Sequence, residues 1–216
     1  MASNRRTVTG LVCLLIALCA WRAAGQDDAE EVLGNVRKKY DAMNDAELRF
    51  TQKVRFPLAK VEQTVSGTLL FKKESKVRIE TPDQTLVTDG TTVWSYSPST
   101  HQVLIDRFKQ DEQSVTPQKL LMGSAGGYQA QLLGREKVGN TEAVQVKLTP
   151  QGDQGLVVSI RLWVDDREWM VRQAEIIDAN GKQTTYTVQQ VKVNIGLPDA
   201  RFVFQPPGGT DVVDLR

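Results

Sequence analysis

Between Thr64 and Ile105, apolar or β-branched residues fall on every second position: Val65, Leu69 and Phe71, then Val77 and Ile79, then Val93, and later Val103 and Ile105. A period of two sends successive side chains to opposite faces of an extended strand, so each run has one dry and one wet face. Turn chemistry separates the runs at Thr81-Pro82-Asp83, Asp89-Gly90 and Ser97-Pro98-Ser99. Asp-Gly between alternating runs is a hairpin signal, because glycine takes the positive φ that a tight turn needs. The stretch therefore reads as an antiparallel meander of about five strands.

The first residues read as a leader rather than as part of the fold. Arg5 and Arg6 precede an apolar run from Leu11 to Ala20, and small residues follow at Ala23-Ala24-Gly25. That is the pattern of a secretory signal peptide over residues 1–25, with an apolar run too short to span a bilayer. Both cysteines, Cys13 and Cys19, fall within it, so the exported chain must hold itself together by its core. Losing Arg5, Arg6 and Arg22 takes the 27 basic residues to 24 against 26 acidic ones, a net charge of −2. Nucleic acid is not an expected partner, since it calls for a basic excess.

Residues 28–43 switch to helical spacing, with Val32, Val36, Tyr40 and Met43 in one stripe. Acidic residues crowd the start and basic ones the end, which suits the helix dipole. Leu48 to Phe56 alternates again and reads as a strand. Pro117 to Gly123 suits a short helix, with proline near its start and glycine near its end. Strands resume at Tyr128–Arg135, Ala143–Leu148, Val157–Val164, Met170–Ile177, Thr184–Val193 and Phe202–Phe204. Without a composition break, linker or repeat, residues 26–216 read as one mainly β domain with helices. About ten or eleven strands at even spacing predict one sheet, strongly bent or nearly closed into a barrel. The helical pieces, near 28–43 and 115–123, are expected to cover its dry face or plug its mouth.

Catalytic constellations are missing. His101 is the only histidine and sits in a Ser-Thr-His-Gln turn, so a histidine- or cysteine-built metal site is not expected after leader removal. There is no Gly-x-Ser-x-Gly elbow, and the glycine-rich stretches at 123–127 and 208–209 lack the lysine of a phosphate loop. No enzyme, no cofactor and no metal are expected.

Several stretches, in order, resemble one family: Phe50-Thr51-Gln52-Lys53-Val54; Gly67-Thr68-Leu69-Leu70-Phe71-Lys72-Lys73; Val87-Thr88-Asp89-Gly90 with Val93-Trp94-Ser95-Tyr96 and Pro98; Ile177-Asp178-Ala179-Asn180-Gly181; and Phe202-Val203-Phe204-Gln205-Pro206-Pro207-Gly208. The ordered set is similar to the periplasmic outer-membrane lipoprotein carriers, LolA, over nearly all of the chain beyond its leader. The resemblance implies an incomplete antiparallel β-barrel whose hollow, capped by helices, holds lipoprotein acyl chains. It implies three partners: the acylated lipoprotein, an inner-membrane lipoprotein-releasing ABC transporter and an outer-membrane receptor. The carrier is expected as a monomer in the periplasm. Carried over residue by residue, the expected acyl-lining positions are Val36 and Tyr40 on the first helix, Leu120 and Leu121 on the lid, and Phe50, Val77, Ile79 and Trp94 on the sheet. The family's lid latch, usually Arg followed by Pro, falls on Lys73, here followed by Glu74. Lysine lacks the planar fork of arginine and would latch as a point charge.

The alternative expectation is a periplasmic regulatory domain of the same half-barrel that senses lipid or lipoprotein. A sensor needs an output element, and no second domain is seen in the sequence. A hydrolase with a carboxylate pair assembled by the fold is the third reading.

Overall fold

The computed structural model describes residues 28–109, 127–151 and 157–216. The expected leader and the expected lid helix, with Leu120 and Leu121, lie outside these residues. A helix, α1, spans 28–41 and buries Ala29, Leu33, Val36 and Tyr40 on one stripe. Among the described residues twelve strands follow: β1 (Asp45–Phe56), β2 (Val61–Lys72), β3 (Lys76–Glu80), β4 (Thr85–Asp89), β5 (Thr92–Ser97), β6 (Gln102–Arg107), β7 (Tyr128–Val138), β8 (Thr141–Pro150), β9 (Val157–Asp165), β10 (Met170–Asp178), β11 (Gln183–Val193) and β12 (Asp211–Asp214). They form one open sheet in the order β12-β6-β5-β4-β3-β2-β1-β11-β10-β9-β8-β7. The five-strand meander is β2 to β6, with turns where Thr81-Pro82-Asp83, Asp89-Gly90 and Ser97-Pro98-Ser99 predict them.

Two details differ from expectation. Phe202–Phe204 is not a strand: a 3-10 turn runs from Asp199 to Phe202, entered from an extended Pro198. The Phe-Val-Phe alternation is nonetheless real, because Phe202 is buried, Val203 is exposed and the Phe204 ring lies 5.4 Å from that of Tyr96. The segment is extended and docked, but it has no ladder. The added strand is β12, four residues that pair in parallel with β6 (Val212 with Val103, Asp214 with Ile105) and close one sheet edge.

Cross-strand partners share a face, so register assigns every side chain. Ala46, Leu48 and Phe50 of β1 align with Phe71, Leu69 and Gly67 of β2, and these with Val77 and Ile79 of β3. That is the helix face. Across the sheet it continues through Tyr186, Ala174, Leu162 and Val146. Side chains of α1 and of this face merge in one core, with Tyr40 and Phe71 6.4 Å apart, ring to ring. Leu70, Arg78 and Val87 take the other, outer face. There Leu70 packs with Leu197 and Phe202 as a second, small core.

Candidate functional site

Among the expected lining residues, Val36, Tyr40, Phe50 and Val77 are buried in the core beneath α1, and Ile79 is half-buried against it. Phe50 is fixed from two directions. Its ring lies edge-on to Tyr186 at 6.0 Å. It also covers Gly67, where an added Cβ would sit 2.6 Å from the Phe50 Cζ and 2.7 Å from the Glu80 carbonyl oxygen. No side chain larger than hydrogen fits at position 67 without displacing that ring.

Trp94 does not join them. Its cross-strand partners are Val87 and Ile105, which puts it on the outer face with Leu70 and Arg78. The helix-face positions of β4 and β5 are instead Leu86, Thr88, Val93 and Ser95. Assigning a dry and a wet face by bulk fails here, because the meander carries apolar side chains on both. The contiguous run Leu69-Leu70-Phe71, buried throughout, is the signal of a strand covered twice.

Above the α1 core the helix face stays apolar but less enclosed. Val54, Val65, Ile79, Leu86 and Val188 are half-buried. The sheet also forks there: β2 pairs with β3 only from Thr68 to Lys72, so Val61 to Gly67 have β1 as their described neighbour. A hollow of about 380 Å³ opens at the fork, lined by Phe50, Gly67 and Pro82 and by Arg49, Ser66, Thr68 and Glu80, which register places on the outer face. An unbranched apolar chain could lie along the half-buried residues of the helix face without directional bonds.

Burial raises the Tyr40 and Tyr186 hydroxyls above their ordinary range, so both stay neutral over the physiological range. Tyr186 accepts from Gln52 Nε2 at 3.3 Å. Tyr40 approaches the Val171 backbone, which partly offsets the effect of burial, but makes no hydrogen bond of normal geometry. Among the described residues no group of His, Cys, Asp and Glu side chains is placed to hold a metal ion.

Lys73 occupies the exposed β2–β3 turn, where its backbone N–H donates to the Asn44 carbonyl at 3.0 Å. Its ammonium meets no described residue, and the lid it would latch lies outside them. The preceding lysine is the one engaged. Lys72 Nζ donates to the Leu197 carbonyl at 2.9 Å and to Asp199 Oδ1 at 2.6 Å, and Lys76 Nζ reaches Asp199 Oδ2 at 3.0 Å. These lysines hold the Asp199 carboxyl below its ordinary range. Buried Asp45 completes the clasp by accepting from the backbone N–H groups of Ile195, Gly196 and Leu197 at 2.8, 3.1 and 3.3 Å. Asp45 and Asp199 thus pin the segment after β11 to the outer face.

The family model and the curated relatives point to one family. The model of the family described as "Outer membrane lipoprotein carrier protein LolA" matches residues 41–205. An outer-membrane lipoprotein carrier protein from Hahella chejuensis is 32% identical over 196 residues, covering 88% of this chain and 88% of its own. Another from Leptothrix cholodnii is 28% identical, covering 99% of each chain. Among solved structures, an uncharacterized conserved protein from Thermus thermophilus matches with a TM-score of 0.60 at 16% identity, over 87% of this chain and 99% of that one. MucB matches with a TM-score of 0.51 at 19% identity, over 88% of this chain and 66% of that one. Both structural likenesses speak to the fold alone.

Proposed function

The chain belongs to the LolA family of outer membrane lipoprotein carrier proteins, and from that membership we propose a periplasmic chaperone that shields lipoprotein acyl chains on the helix face of its sheet. The family is one of carriers, not of enzymes. The observation that carries the cargo site is the half-buried apolar surface of Val54, Val65, Ile79, Leu86 and Val188, which continues the helix face beyond fully buried Phe50. Burying an acyl chain is worth about 0.8 kcal/mol per methylene, so two or three chains amount to tens of kcal/mol. Cargo of that kind does not pass through water; it needs a shield that binds by area and hands over by contact. Phe50, Val77 and Ile79, with Val36 and Tyr40 of α1, are the residues we assign to the wall of that shield, together with Leu120 and Leu121 of the lid.

On this reading the cargo comes from an inner-membrane releasing ABC transporter and passes to an outer-membrane receptor. For the latch we propose Lys73. Its turn packs against the next one, where the Gly90 Cα lies under the Glu74 carbonyl, and Thr91 accepts from the N–H of Phe108, shortly before the segment expected to carry the lid.

Capture of a purified diacylated or triacylated lipoprotein from detergent tests the reading. The wild-type chain is expected to form a soluble one-to-one complex, and Ile79→Asp to lose it while remaining folded. A wild-type chain that leaves the lipoprotein in detergent at every ratio would sink the carrier assignment. Lys73→Ala is expected to speed exchange of bound cargo, and Lys73→Arg to slow it. Equal rates for all three remove Lys73 from the latch.

A further inference from the structure

The β1–β2 hairpin ends in Phe56-Pro57-Leu58-Ala59-Lys60-Val61. Leu58 is 93% exposed, the most exposed large hydrophobic side chain among the described residues, with Phe56 at 37% and Val61 at 44%. Soluble domains bury or scatter such residues, and a contiguous exposed group marks a contact site. The tip stands clear of its neighbours. The β1 ladder with β11 ends at Arg55, and β3 joins β2 only from Thr68.

We propose that this tip is a membrane wedge, which enters the headgroup layer of an anionic phospholipid bilayer. Charge argues for that occupant. Lys53, Arg55 and Lys60 ring the apolar tip, and only Glu62, 2.8 Å from Lys53, opposes them. The local excess is positive although the exported chain is slightly acidic overall. Bulky apolar side chains flanked by cations partition into the interface of an anionic leaflet. Area points the same way: six tip residues offer far less than the roughly 800 Å² that a stable protein partner needs per side, whereas a bilayer accepts a few side chains. A second copy is disfavoured because two such tips would bring like charges together.

Register gives the wedge a purpose, which rests on the carrier reading. Phe56 pairs with Val61, Val54 with Gln63 and Gln52 with Val65, and the apolar members all lie on the helix face. From the tip inward, Phe56, Val61, Val54 and Val65 lead without a change of face to Phe50 and Ile79. The wedge would thus dock one end of the apolar track on the bilayer, so that acyl chains move between membrane and carrier along a surface instead of through water.

The test is partition of the purified chain onto unilamellar vesicles of phosphatidylglycerol and phosphatidylethanolamine, with phosphatidylcholine vesicles as the neutral control. Wild type is expected to bind the anionic vesicles preferentially. Leu58→Glu is expected to lower that partition about tenfold or more, the scale of one bulky apolar side chain leaving the interface. Arg55→Gln with Lys60→Gln is expected to lower it severalfold and to flatten its salt dependence. These side chains are exposed, so the melting temperature stays put, and lipoprotein capture from detergent is unchanged in both variants. Equal partition of wild type and Leu58→Glu overturns the wedge. So does a wild type that ignores vesicles while Leu58→Glu still blocks delivery to outer membranes, since the tip would then dock on protein. A wild type that fails to capture lipoprotein from detergent breaks the carrier reading instead, and leaves the vesicle result to stand by itself.

Discussion

The two faces of this sheet are held by different physics. On the helix face, α1 and β1, β2 and β8 to β10 share one broad apolar core. Apart from the hydrogen bond from Gln52 to Tyr186, its contacts are non-directional, and stability is spread over area. On the outer face, the segment after β11 is held by two buried apolar anchors, Leu197 and Phe202, and by the polar clasp of Asp45, Lys72 and Asp199. An apolar face can exchange one hydrocarbon partner for another at small cost, which is what a carrier of acyl chains needs. A clasp of short directional bonds admits one arrangement only. The molecule keeps its adaptable contacts where cargo is proposed and its specific ones where the fold must be closed.

The largest expected effect separates the faces at the clasp. Phe202 is fully buried against Leu70 and Leu197, so Phe202→Ala should cost about 3–5 kcal/mol in urea unfolding. It should also release β12 from β6, seen as loss of amide protection across 211–214. Asp45→Ala comes next. It leaves three backbone N–H groups without their buried acceptor, at a cost of about 3 kcal/mol. If either variant instead melts α1 first, the faces are not independent and the comparison fails.

On the helix face the sharpest probe is Gly67. Gly67→Ala forces the Phe50 ring or the Glu80 backbone to move and is expected to cost about 1–3 kcal/mol. Because the obstacle is one ring, Phe50→Leu in the same chain should recover part of that loss. A double-mutant cycle on thermal unfolding reads the coupling. Strict additivity would mean that Phe50 already moves freely, and that the face is looser than its packing implies.

Most of the strand pattern was legible because alternation is a local property: β1 to β11 appear where runs such as Leu48–Phe56 and Thr184–Val193 predict them. What stayed hidden depends on residues far apart in sequence. Alternation says that Trp94 and Val93 take opposite faces; only the ladder from Phe71 through Val77 and Thr88 to Val93 says which face is which. The clasp was illegible for the same reason. Asp45 and Ile195 lie 150 residues apart, and no local pattern announces that a carboxylate will cap a distant loop. β12 is four residues long and pairs in parallel, too short for its period to stand out. Lys72 and Lys73 differ in role by position alone: strand parity turns Lys72 toward Leu197 and Asp199, while Lys73 begins the turn.

The smallest expected effect is a pH response confined to the outer face. Lys72 first, then Lys76, hold the Asp199 carboxyl below its ordinary range. A carboxyl whose folded pKa is depressed adds stability above its unfolded pKa, and that contribution disappears as pH falls through the folded value. Acid should therefore loosen the 197–202 turn before it disturbs α1, which is held by apolar contact. The group is solvent-exposed, so salt screens the effect and the global midpoint should barely move. Amide exchange in the turn is the suitable measure, with Asp199→Asn as the reference that cannot titrate. The protection that wild type shows over Asp199→Asn should be present near neutrality, shrink below the ordinary aspartate range and fade in high salt. A difference that persists unchanged into strong acid would mean that the lysines hold the turn through the Leu197 carbonyl alone. The outer face would then owe its closure to hydrogen bonding rather than to charge.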